Sequence, residues 1–126
     1  MNKFESKEDY LERILILTQN NKIVRAIDIA NSMNYSKPSV SIALKKLKNE
    51  DCITVDEHTG AITLTKKGYD IAISIYHRHQ ILTNALTLIG VDVEIAKEEA
   101  CKIEHDLSDD TILKIKEFID KNKKNT

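Results

Sequence analysis

Three residues, Asn34-Tyr35-Ser36, separate two runs of helical apolar periodicity, and they restrict the fold more than any other stretch of the chain. Before them, Ile27, Ile29, Ala30 and Met33 give a short helix over about 25–33. After them, Val40, Ala43, Leu44 and Leu47 give the buried stripe of a helix reaching about Asn49. Ser36 suits the cap of that second helix, and Pro38 falls in its first turn, where a missing N–H costs little. Two alternating runs follow, Cys52-Ile53-Thr54-Val55 and Ala61-Ile62-Thr63-Leu64. Between them, Asp56-Glu57-His58-Thr59-Gly60 reads as a hairpin tip with Gly60 at positive φ. Helix, turn, helix and hairpin in this order form a winged helix-turn-helix pattern.

The flanks are helical. Tyr10, Leu11, Ile14, Leu15 and Leu17 place a helix over about 6–19, with Ser6 as its cap and Asp9 in its first turn. Thr65 suits the cap of a long helix from Lys66 to about Ile89, ended by Gly90. Asp92 opens a fifth helix expected to reach about Leu107. Ser108 opens a sixth, expected to end near Asp120 and leave a frayed tail from Lys121 to Thr126. With three Gly and one Pro in 126 residues, little else can be a turn. The fold expected is mainly α with a small β-hairpin. A winged helix-turn-helix domain over 1–68 is expected to be followed by a three-helix domain over 69–126.

Net charge is only −1, but its distribution is uneven. Residues 22–48 hold Lys22, Arg25, Lys37, Lys45, Lys46 and Lys48 against Asp28 alone. Residues 92–110 hold Asp92, Glu94, Glu98, Glu99, Glu104, Asp106, Asp109 and Asp110 against Lys97 and Lys102. Such a chain can bind an anion with one part and a cation with the other. The recognition helix would offer Ser36, Lys37, Pro38, Ser39 and Ser41 to base edges and phosphates, with Arg25, Lys45 and Lys46 on the backbone. On the fifth helix Cys101, Glu104 and His105 stand at i, i+3 and i+4, so a thiolate, a carboxylate and an imidazole share one face.

The N-terminus is charged, and no apolar run approaches a signal or membrane segment, so a cytoplasmic protein with no membrane partner is expected. Two cysteines, Cys52 and Cys101, make no disulfide framework. There is no nucleophile motif, Gly-rich phosphate loop or HExxH, so neither an enzyme nor a small-molecule substrate is expected. The apolar residues Ile71, Ile75, Leu82, Leu86 and Ile89 of the long helix suit a homodimer interface.

The chain resembles the diphtheria-toxin repressor / manganese transport regulator family of iron- and manganese-dependent transcriptional repressors. The resemblance runs over about 6–119. It is carried by Glu8-Asp9-Tyr10-Leu11-Glu12-Arg13-Ile14, Ser36-Lys37-Pro38-Ser39-Val40-Ser41, Leu64-Thr65-Lys66-Lys67-Gly68, Arg78-His79, Gly90-Val91-Asp92 and Glu99-Ala100-Cys101-Lys102-Ile103-Glu104-His105 with Leu107-Ser108-Asp109. It implies metal ligands at Asp9 and Glu12 of the first helix, His79 of the long helix, and Cys101, Glu104 and His105 of the fifth. Asp9 matches the manganese-type members, whereas Cys101 matches the iron-type. Thr83 and Lys97, at ancillary-site positions of the iron-type members, are poor ligands. The SH3-like domain of those members has no counterpart, which makes this a short form. The resemblance further implies a homodimeric repressor of metal-homeostasis genes. It would bind double-stranded operator DNA with Fe2+ or Mn2+ as cofactor; Co2+, Ni2+ or Zn2+ would substitute in vitro. The alternative is a metal-independent winged-helix regulator with Cys101 as a thiol sensor.

Overall fold

A computed structural model of the chain describes residues 7–20 and 23–124. Among them are six α-helices and one two-stranded antiparallel sheet: α1 (Lys7–Asn20), α2 (Ala26–Met33), α3 (Lys37–Asn49), β1 (Ile53–Val55), β2 (Ile62–Leu64), α4 (Lys66–Leu88), α5 (Val93–Ile103) and α6 (Asp109–Lys124). This is the expected winged helix-turn-helix followed by helices. The chain divides into two compact units, 1–74 and 75–126, with the boundary inside α4. Ser6, expected to cap α1, lies outside the described residues.

In the first unit α1 packs on α2, α3 and β2. Its stripe of Tyr10, Leu11, Ile14 and Leu15 is buried, as i, i+4 spacing of apolar residues requires. Ile29 and Ala30 of α2, and Val40, Leu44 and Leu47 of α3, close the same core. Tyr35 lies with its ring centroid 5.8 Å from that of Tyr10. The α2–α3 turn is built from local bonds. Asn34 takes the left-handed conformation (φ 59°), its N–H and that of Tyr35 both donate to Ala30 O, and Ser36 Oγ accepts from Ser39 N at 3.2 Å. The hairpin pairs Ile53 with Leu64, Thr54 with Thr63 and Val55 with Ile62. Ile62 N donates to Val24 O, which ties β2 to the chain preceding α2. At the tip Asp56 Oδ1 accepts from His58 N and Thr59 N, and Gly60 sits at φ 76°.

Thr65 caps α4 as expected: its Oγ1 accepts from Gly68 N at 3.1 Å and donates to Asp51 O at 2.6 Å. Gly68 is there for space. A Cβ on it would meet the carbonyl oxygen of Cys52 at 2.0 Å, a distance that only backbone movement could relieve. Asp51 adopts φ 62° where the chain leaves α3 for β1, a turn that no glycine announces.

In the second unit Leu82 of α4, Ala100 of α5 and Ile112 of α6 form a buried cluster joined by Ile81, Leu107 and Ile115. Asp92 caps α5 by accepting from Glu94 N at 3.1 Å, and Ser108 caps α6 by accepting from Thr111 N at 3.1 Å. Two expected ends are corrected. α5 stops at Ile103 rather than near Leu107, because Arg78 takes the carbonyls of Glu104 and Leu107 that a continuing helix would use. α6 runs to Lys124 instead of fraying from Lys121. Ile119 is buried on its inner face, Lys116 pairs with Asp120 one turn on, and Asn122 Nδ2 donates to Phe118 O.

Candidate nucleic-acid interface and metal centre

The α3 face is open. Ser36, Lys37, Pro38, Ser41, Lys45, Lys46 and Lys48 are exposed, and Ser39 is half-buried. None of Lys37, Lys45, Lys46 and Lys48 makes an ion pair with a described residue, so four cations on one helix are available to an anion. Ser36 and Ser39 are partly committed to each other, with Ser36 Oγ donating to Ser39 Oγ at 2.9 Å. Arg25 stands at the N-cap of α2, its N–H donating to Asp28 Oδ2. Its Nε donates to Thr59 O at 2.8 Å, which pins the hairpin tip to the reading head.

Asp9 and Glu12 are both buried in the first unit, at i, i+3 on α1. In the second unit the structure brings His79, Glu104 and His105 together. His79 Nδ1 lies 2.9 Å from Glu104 Oε2, and His105 Nε2 lies 3.6 Å from Glu104 Oε1. The two imidazoles keep 24% and 18% of their side-chain exposure, whereas Glu104 has none. Glu104 Oε1 receives no hydrogen bond from any described residue. A carboxylate oxygen sealed from water without a donor is costly unless a cation meets it. Two imidazoles and a carboxylate are the ligand types of a divalent transition metal, so these residues fit one. Cys101, one turn before Glu104, is half-buried. Among the described residues it joins no cluster of three or more ligand atoms within 4.8 Å of one another.

Glu104 is itself the C-cap of α5, and His105 lies in the turn beyond it; the three-residue helical face expected of Cys101, Glu104 and His105 ends at its first member. That turn is held by Arg78. Its Nε donates to Glu104 O at 2.7 Å, one terminal nitrogen donates to Leu107 O, and the other reaches Asp109 Oδ1 at 2.9 Å. Sequence reasoning assigned Arg78 no task. The signal was its position: it falls between the buried Ile75 and Leu82 at helical spacing, so an arginine sits in an apolar stripe.

Two family models match the chain in sequence order. Residues 4–61 match the family model "Iron dependent repressor, N-terminal DNA binding domain", and residues 65–126 match "Iron dependent repressor, metal binding and dimerisation domain". An uncharacterized HTH-type transcriptional regulator of Methanocaldococcus jannaschii is 37% identical over 119 residues, covering 93% of this chain and 94% of the relative. The HTH-type transcriptional regulator MntR of Shouchella clausii is 33% identical over 114 residues, covering 90% of this chain and 79% of that protein. Among solved structures, the manganese regulator SloR superposes with a TM-score of 0.81 at 33% identity, over 91% of this chain. The chain spans about half the length of that structure, 54% of it. No helix among the described residues is long and apolar enough to cross a membrane. With both family models matched in order and relatives of this identity covered over most of their length, the chain belongs to the diphtheria-toxin repressor / manganese transport regulator family of metal-dependent transcriptional repressors.

Proposed function

We propose that the chain is a homodimeric repressor that binds double-stranded operator DNA through α3 and its wing when a divalent metal occupies a site made of Asp9, Glu12, His79, Glu104 and His105, with Cys101 adjoining. The observation that carries this reading is Glu104 Oε1, buried, without a hydrogen bond and facing an imidazole. When bound, the cation supplies the positive charge that this acid-rich set lacks. Asp9 and Glu12 belong to α1, which packs on the reading helix α3, so their engagement constrains the reading head. His79, Glu104 and His105 supply the second unit's share, and Arg78 holds the turn that presents two of them. Fixing the heads fixes the spacing of two recognition helices near one DNA turn, roughly 34 Å. Metal and DNA then strengthen each other's binding by the same factor. The solved relatives named as a manganese regulator and a manganese-dependent repressor favour Mn2+; a thiol at Cys101 favours Fe2+, with Co2+, Ni2+ and Zn2+ substituting in vitro.

The test is DNA binding by the purified chain under anaerobic conditions, with no metal, Mn2+ or Fe2+. The probes are duplexes enriched from a random-sequence library. Affinity is expected to rise at least about tenfold with metal, to fall back with chelator, and to lose the metal effect in Glu104→Gln. Equal affinity in every condition would remove the metal mechanism. A loss of DNA binding on oxidation that Cys101→Ala abolishes would then establish the thiol-sensor alternative.

A further inference from the structure

Ile42 has no role in the fold. It is 71% exposed, more than any other large apolar residue among the described residues of the first unit, where Ile23, Tyr69 and Ile27 follow at 51%, 46% and 41%. It projects from the open face of α3, one helical turn from Pro38 on one side and from Lys45 and Lys46 on the other, and next to Ser41. The inner face of α3 is complete without it, since Val40, Leu44 and Leu47 fill the core.

The rest of α3 is poor in base-reading groups. From Lys37 to Lys48 there is no Arg, Asn, Gln, Asp or Glu, so no side chain can make the bidentate contact that identifies adenine, and guanine can be met only by a lysine. Ser39 Oγ accepts from Ser36 Oγ. The lysines suit phosphates, which carry no sequence information. Beside the small Ser41 and Pro38, Ile42 is the largest apolar side chain exposed on a helix whose charged residues from Lys37 to Lys48 are all cationic. That charge favours nucleic acid over a protein as the occupant of this face. In the major groove the one apolar feature of a base edge is the 5-methyl group of thymine.

We propose that Ile42 is a specificity-determining residue that packs on the 5-methyl group of a thymine in each half-site. The proposal rests on the DNA-binding reading above and adds to it the base read and the residue reading it. Ile42 selects T against C by burying a methyl group. The same contact separates thymine from uracil, which pairs identically and lacks only that methyl.

The experiment uses the full chain with the metal that supports DNA binding and a duplex enriched from a random-sequence library. Each thymine in turn is replaced by deoxyuridine. For the wild type, one thymine per half-site is expected to show about a fourfold loss of affinity per contact, the value of one buried methyl. Ile42→Ala is expected to lose this penalty and, in a fresh enrichment, the preference for T at that position; Ile42→Val retains both in part. Because the side chain is largely exposed, far-ultraviolet circular dichroism should be the same for all three proteins. An unchanged deoxyuridine penalty in Ile42→Ala, or no penalty at any thymine, overturns the proposal and leaves DNA binding standing. Failure of the wild type to enrich any duplex overturns the DNA-binding reading, and this proposal with it.

Discussion

Two short connections, 34–36 between α2 and α3 and 104–108 between α5 and α6, are held in opposite ways. The first is closed by its neighbours. Asn34 and Tyr35 bond back to Ala30, and Ser36 caps the helix it opens, so these backbone and capping bonds each lie within six residues. The second is closed from afar. Arg78, 26 to 31 residues upstream, takes two of its carbonyls and one carboxylate. The local turn shapes the surface proposed for DNA through bonds to its own neighbours, with the Tyr35 ring against Tyr10 as its long-range contact. The remote turn positions Glu104 and His105, so the proposed ligands are only as well placed as one guanidinium holds them. A reading surface can be encoded in adjacent residues, whereas a site drawing on several helices needs a long-range tie.

Arg78→Ala should break the second connection and show the largest effect. Its side chain is 12% exposed, while Asp109 is fully exposed, so the two carbonyl bonds matter more than the ion pair. Removing them should cost about 3 kcal/mol in urea denaturation, and Arg78→Lys should recover less than half, because an ammonium cannot span both carbonyls. A loss below about 1 kcal/mol would mean that the turn holds itself, and the contrast with the first connection would collapse. The matching change in the first connection is Ser36→Ala, expected to cost about 1 kcal/mol, with Ser36→Asp close to wild type. If both serine variants fell as far as Arg78→Ala, the turn at 34–36 would not be local.

The smallest effect concerns the wing, which combines the two designs: Asp56 closes its tip locally, and Arg25 ties it from a distance. The backbone N–H of Thr59, and then that of His58, hold the Asp56 carboxyl below its ordinary 3.8. A depressed folded pKa contributes stability above the ordinary value, and that contribution is lost as pH falls through the lowered one. The amide shifts of His58 and Thr59 should therefore move only below about pH 3.8, and Asp56→Asn should remove the transition. A transition at or above that pH would show that the carboxyl does not close the tip.

Much of the fold was legible because its signals are short in range. Ser36 with Pro38, Thr65 and Asp92 each mark a helix start through a side chain acting within three residues. The end of α5 was not legible, because what stops it is Arg78 on another helix. The extent of α6 was misjudged for a related reason. Lys121 and Lys123 read as a solvated tail, but the buried Ile119 and the Lys116–Asp120 pair sustain the helix beneath them. Cys101, Glu104 and His105 were marked by their spacing on one helix, whereas Asp9, Glu12 and His79 came from the family resemblance, since Asp9 and Glu12 are separated by more than sixty residues from His79. The burial of Glu104 and its bare oxygen were beyond any spacing rule, because burial is set by how α4 and α5 pack.

The cysteines, neither in a disulfide, give this molecule an internal clock. Cys52 is fully buried beneath the first turn of α4, where its own carbonyl leaves no room for a side chain on Gly68. Cys101 is half-buried on the last turn of α5. An alkylating reagent added to the native protein will mark the partly exposed Cys101 first, and Cys52 only when the first unit comes apart. The slower of two labelling rates measured in one tube thus times the opening of the first unit, with Cys101 as the built-in reference and no engineered probe.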